Sequence, residues 1–127
     1  MRTLVTSLRP LYFVSASVRD DMLKMPGVVR REFGHALYMA QLGENHASAK
    51  TLRQFGPDVL EIVQRHDGDT YRAVYTVRFE DAVYVLHVFQ KKSPSGRKVA
   101  QRDIDTVESR LRLARVLHQR RRGGDNP

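Results

Sequence analysis

Arg72, Lys91 and Lys92 are the residues of this chain best suited to chemistry, and the chemistry they suit is that of phosphate. A guanidinium presents a planar fork of donors that matches two phosphate oxygens, and an ammonium adds a compact positive charge. Arg72 stands near the start of a β-like run, Tyr71 to Phe79. Within it Tyr71, Ala73, Tyr75, Val77 and Phe79 share one face by the period of two, so Arg72 points the other way with Val74 and Thr76. Lys91 and Lys92 leave the end of the next run, Ala82 to Gln90. In an antiparallel sheet the end of that strand lies beside the start of the strand before it, which brings the three cations to one sheet edge. Ser93, Arg97 and Lys98 follow in the next loop and would complete an anion site. Two plainer arrangements compete. Arg72 can pair with Glu61 on the neighbouring strand, and the lysines can form a solvated basic rim.

The elements that must hold these residues are legible from pattern. Leu11 to Val14, after Pro10, suits a first strand. Ser15 or Ser17 can cap a short helix that carries Asp20 and Asp21 early and Val18, Met22 and Met25 at helical spacing. Pro26 is tolerated at the first position of a second helix. There Val29, Phe33, Ala36, Leu37 and Ala40 form one apolar stripe, and Gly43 marks its end. Glu44 to Gln54 reads as loop and Phe55 to Asp58 as turn. Three strands follow: Val59 to Arg65, Tyr71 to Phe79 and Ala82 to Gln90. They are joined by a hairpin signal at His66-Asp67-Gly68-Asp69 and a turn at Glu80-Asp81. The last strand is apolar on both faces and should be buried on both. A basic loop, Lys91 to Ala100, leads to a helix with Ile104, Val107, Leu111, Ala114 and Leu117 on its stripe. The expected order is β-α-α-β-β-β-α, an α+β domain with one antiparallel sheet, an N-terminal helical hairpin and a C-terminal helix. Residues 1–9 read as an N-terminal extension, 10–120 as the domain and 121–127 as a flexible tail.

Composition limits the function. The 127 residues carry 22 Lys and Arg against 14 Asp and Glu, a formal charge of +8. That excess is local: residues 1–90 are close to neutral at +1, whereas residues 91–122 hold +8. A localised basic block is an electrostatic footprint for a polyanion, a solvated helix face or the docking surface of an acidic partner. The chain has no cysteine, which removes disulfides, thiol catalysis and Cys-based zinc sites and fits a reducing cytoplasm. No signal peptide and no membrane-spanning run is read. Catalytic signatures such as GxSxG, the P-loop, HExxH and GxGxxG are missing. The five histidines, at 35, 46, 66, 87 and 118, have no ligand-like spacing, so neither metal nor cofactor is expected. His87, inside the buried strand, reads first as a satisfied core histidine and second as a titrating catalytic one.

Several strings in this chain resemble the HigB-like, phage-derived branch of the RelE/ParE toxin superfamily. They are Tyr71-Arg72-Ala73-Val74-Tyr75, the run from Val83 to Ser93 (VYVLHVFQKKS), and Asp103-Ile104 opening a helix that carries Arg110. Leu23-Lys24-Met25-Pro26, Gln41-Leu42-Gly43 and Val59-Leu60-Glu61 are similar to that branch too, so the resemblance spans residues 10–117. It implies a RelE-like fold and a bacterial or phage toxin of a type II toxin–antitoxin pair, acting as an mRNA endonuclease, often on the ribosome. It also implies a cognate antitoxin, expected as a small helix-turn-helix protein. In the RelE-like arm an arginine at the YR position and a basic residue ending the following strand serve the cleaved phosphate, which here are Arg72 and Lys91 or Lys92. This chain departs from that arm in having Glu61 and apolar neighbours where some members carry lysines. It also lacks a recognisable C-terminal tyrosine or histidine–aspartate set.

Such cleavage needs no metal. The 2′-hydroxyl of the RNA attacks the adjacent phosphate, a base takes its proton, an acid protonates the leaving 5′ oxygen, and cations stabilise the charged intermediate. Arg72, Lys91 and Lys92 would be the catalytic cations, His87 or Glu61 the base, and Ser93, Arg97 and Lys98 would contact RNA. Two further readings are a ParE-like poison of DNA gyrase and a nucleic-acid-binding protein without catalysis.

Overall fold

The computed structural model describes residues 8–91 and 99–123. The elements in chain order are β1 (Leu11–Phe13), α1 (Ala16–Leu23), α2 (Gly27–Gln41), β2 (Ala49–Thr51), a 3₁₀ turn (Arg53–Phe55), β3 (Val59–His66), β4 (Asp69–Phe79), β5 (Ala82–Lys91) and α3 (Gln101–Gly123). The expected α+β class and helical hairpin are present, with two differences in the sheet. The five strands run β1-β5-β4-β3-β2, and β1 pairs parallel with β5, so the sheet is mixed rather than antiparallel throughout. The segment 44–54, expected as loop, contains the edge strand β2, which pairs antiparallel with β3. Both features depend on a partner distant in sequence, and three-residue strands carry too few side chains to show a period.

Local chemistry explains the connections. Asp67 and Gly68 have φ of 49° and 83°, the left-handed pair that a tight hairpin turn requires, and His66 and Asp69 close it in register. Gly43 has φ of 81°, and its amide bonds to Ala40 O while that of Glu44 bonds to Met39 O, the paired closure of a helix C-terminus. Pro26 stands just outside α2 rather than at its first position. Ser15 precedes α1 as expected, but its hydroxyl bonds to Ser17 Oγ and does not cap the helix.

The expected stripe of α2 is buried in full, with Val29, Phe33, Ala36, Leu37 and Ala40 in the core. This hairpin covers one face of the sheet, where Leu60, Ile62, Ala73 and Tyr75 are buried. On the other face α3 crosses β5 through Val107, Leu111, Ala114 and His118. His118 replaces the expected Leu117 as the last buried position.

β5 carries one extra residue, Leu86, between the pairs Val74–His87 and Tyr75–Val85. A bulge shifts the alternation by one, so Tyr84 and His87, three apart, both face α3. The carbonyl of Leu86, which the bulge takes out of the ladder, accepts a hydrogen bond from Arg110 Nη1 at 3.0 Å. The helix therefore anchors the irregularity that aims His87. α3 runs past the expected end of the ordered domain at 120: Arg121 Nε donates to Tyr84 Oη at 3.1 Å, and its guanidinium lies 3.5 Å from the Tyr12 ring centroid.

Candidate functional site

The sheet face on which α3 packs is organised, from the helix outwards to β2, in three rows by strand register. Lys50, Glu61, Val74 and His87 form the first, Val63, Arg72 and Phe89 the second, and Arg65, Thr70 and Lys91 the third. Directly opposed residues point to the same face, so these side chains all share it. On the β2–β3 side this face floors a groove of about 790 Å³ lined by Ser48, Lys50, Glu61, Gln64, Arg65 and Arg72 among others.

Arg72 sits in the middle row and is only 4% exposed. Its Nη1 donates to Glu61 Oε2 at 2.7 Å. The ion pair between neighbouring strands that the sequence permits is thus formed, and it lies at the wall of the groove. A buried guanidinium held by a carboxylate keeps its charge and its orientation. Glu61 is the one acidic side chain among the described residues lining this groove. Lys91 stands opposite Thr70, one row from Arg72, where the antiparallel argument puts it. Lys92, Ser93, Arg97 and Lys98 lie outside the described residues.

His87 is gripped from both ring nitrogens. Arg110 Nη1 is 3.1 Å from Nδ1 and, as a guanidinium, can only donate, so Nδ1 accepts. The ring proton is then on Nε2, which donates to Asp103 Oδ1 at 2.9 Å. The ring also stacks on Phe89, with centroids 4.3 Å apart. Burial, chiefly, holds the His87 pKa below its ordinary value, and the Arg110 charge acts in the same direction against the Asp103 carboxylate. The result is a neutral imidazole in a histidine–aspartate pair that the sequence did not announce, with its remaining lone pair occupied by Arg110.

Glu32, His35 and His46 offer ligand atoms within 4.8 Å of one another, a grouping that the sequence spacing concealed. Its hydrogen bonds suit a different role. The amide of Ser48 donates to His46 Nδ1 at 3.0 Å, so the ring proton is on Nε2, which donates to Glu32 Oε2 at 2.6 Å. A metal at Nε2 would need that lone pair free and the proton moved to face the Ser48 amide. The cluster fixes the chain that enters β2, two residues before Lys50. Lys50 and Arg65 are groove residues that sequence reasoning missed. Lys50 sits in a segment read as loop, and only the register of an unanticipated edge strand brings it opposite Glu61.

No curated protein sequence matches the chain. Two solved structures are similar to it. One is the Escherichia coli toxin RelE, a doubly substituted variant in the free state. It is 24% identical over 65% of this chain and 82% of that chain, with a TM-score of 0.49. The other is the RelBE2 toxin–antitoxin complex of Mycobacterium tuberculosis, at 21% identity over 68% of this chain and 94% of that chain, with a TM-score of 0.44. A family model described as phage derived protein Gp49-like matches residues 20–112, a stretch that takes in α2, β2 through β5, Arg72, His87 and Arg110. The chain therefore belongs to the phage-derived Gp49-like family.

Proposed function

We propose that this protein is the toxin of a type II toxin–antitoxin pair and cleaves messenger RNA without a metal, on the ribosome. The observation that carries the reading is the Glu61–Arg72 pair at the wall of an open groove on the β2–β3 side of the sheet face that α3 partly covers, with Lys91 one row away. It joins an acceptor for a proton to cations for a phosphate. Glu61 takes the proton of the RNA 2′-hydroxyl, and that oxygen attacks the adjacent phosphorus. Arg72 stabilises the charge on the phosphorane, the bond to the 5′ oxygen breaks, and a lysine ammonium, Lys91 or Lys92, protonates the leaving oxygen. The products are a 2′,3′-cyclic phosphate and a 5′-hydroxyl end. Glu61 suits the base better than His87, because it lines the groove while both ring nitrogens of His87 are engaged. Ser93, Arg97 and Lys98 would extend the RNA contact. A cognate antitoxin, in our reading a small helix-turn-helix protein, would cover this face.

Mapping message 5′ ends after a brief induction tests the proposal. Wild type should generate new ends and arrest growth. Losing a preorganised cation costs about 3 kcal/mol of transition-state stabilisation, so Arg72→Ala should cut roughly 100-fold more slowly. Because that variant strands Glu61 inside the protein, a Glu61→Gln/Arg72→Gln pair, neutral and still able to hydrogen-bond, controls for folding. Unchanged cleavage in a folded variant removes Arg72 from the mechanism. Growth arrest with gyrase-linked DNA breaks and no new RNA ends replaces the endonuclease with a gyrase poison.

A further inference from the structure

Arg72 and Glu61 are buried, so the cations that first meet a polyanion on this face must be others. Among the described residues, three side chains on the β2–β3 side are exposed and basic: Arg65, Lys50 and Arg53. Lys50 and Arg65 line the groove on either side of the Glu61–Arg72 pair. Lys50 also lines an adjoining depression of about 550 Å³ with Thr51, Arg53 and Gly56. The two hollows thus share Lys50. Along β3, Arg65 lies four residues from Glu61, the register partner of Lys50, a span of about 13 Å at strand rise. Arg72, opposite Val63, falls midway. Beyond Arg65 the sign changes: Asp67, highly exposed, stands in the hairpin turn that ends the face.

We propose that Arg65, Lys50 and Arg53 form a track that holds the phosphate backbone of a single RNA strand across the Glu61–Arg72 pair, with Lys50 as its central positioning residue. This rests on the endonuclease reading for what happens to the strand, though not for its being bound. The track is directional. Repulsion by Asp67 in the hairpin turn ends the track at Arg65, whereas on the other side it continues past Lys50 towards Arg53. The groove is open, and the cations follow one another from Arg65 through Lys50 to Arg53 across two adjoining hollows, as suits a flexible single strand whose charge must be met phosphate by phosphate.

The test is binding of a short fluorescein-labelled single-stranded RNA by the intact protein between about 50 and 200 mM salt. Lys50→Ala should weaken binding roughly five- to tenfold and make the log–log salt slope shallower by about 0.7, the loss of one single-strand phosphate contact. Lys50→Arg should restore both. Lys24→Ala, an equal loss of exposed charge at a residue that lines neither of these two hollows, should leave both unchanged. In ribosomal cleavage Lys50→Ala should raise KM and spare kcat. The track is overturned if wild type fails to bind the RNA, or if Lys50→Ala and Lys24→Ala behave alike. A wild type that binds with the expected slope yet never cuts message overturns the endonuclease reading and leaves the track standing.

Discussion

At the scale of single residues, position in the ladder matters more than residue type. Arg72, buried, and Arg110, half-buried, are both tied by hydrogen bonds, yet Arg72 meets a carboxylate at the groove and Arg110 fastens a helix to a bulge. The sequence made Arg72 conspicuous, because an arginine amid strand residues must find a partner, and it named Glu61 as one. It could not show that the pair is buried while Lys50 and Arg65 beside it remain in water. His87 shows the same limit. Its burial followed from a run apolar on both faces, but its partners Asp103 and Arg110 come from a helix sixteen or more residues away. One consequence is testable. The folded pKa of His87 is lowered, so the native state favours the neutral ring. Its contribution to stability is fully present above the unfolded value, near pH 6.5, and is lost as pH falls through the lowered folded value. Thermal unfolding should therefore show Tm dropping as pH is taken from 7.5 towards 5. In His87→Gln, which keeps a donor for Asp103 without a titrating ring, that part of the slope should vanish. An identical slope in both proteins would move the acid sensitivity to other groups.

At the scale of elements, long periodic segments were readable and short ones were not. The stripe of α2 and the three long strands follow from patterns of 3.6 and 2 that extend over many residues. β2 has three residues, and its position is set from outside by the Glu32–His46–Ser48 hydrogen bonds and by pairing with β3. The end of α3 was misread because its last turn is nearly all charged, which resembles a fraying tail. What holds it is a relay directed by donor chemistry. Arg121 Nε donates to Tyr84 Oη, so that hydroxyl donates to His118 Nδ1 at 3.1 Å, and His118 Nε2 lies 2.8 Å from Asp81 Oδ1. Tyr84 is fully buried, so removing its hydroxyl leaves a buried histidine nitrogen and an arginine without their partner. Tyr84→Phe should cost about 1–3 kcal/mol in urea unfolding. It should also speed proteolysis after Arg120, Arg121 or Arg122, because the last turn of α3 loses its anchor. Unaltered proteolysis would mean that the cation–π contact with Tyr12 suffices.

At the scale of the whole molecule, the basic side chains divide between two surfaces with different duties. Among the described residues the groove face carries few exposed cations, and they follow the β2–β3 side of the sheet, where the removal of a single residue changes affinity. α3 instead exposes Arg112, Arg115 and Arg120 on its outer side, away from the buried stripe. These guanidiniums touch no reacting group, so their effect on a polyanion acts through the long-range field, which raises encounter rates and is screened by salt. The Debye length falls from about 10 Å at 0.1 M to about 3 Å at 1 M ionic strength, so steering from the outer side of a helix packed over β5 should disappear over that range while contacts in the groove persist in part. An Arg112→Gln/Arg115→Gln/Arg120→Gln variant, which keeps the helical stripe intact, should associate with ribosomes several-fold more slowly than wild type at low salt. The two association rates should converge as salt rises, with dissociation rates alike throughout. Lys50→Ala should do the reverse, leaving association nearly unchanged and accelerating dissociation. If the α3 variant instead dissociates faster at every salt concentration, its arginines make direct contacts, and the helix belongs to the binding surface proper.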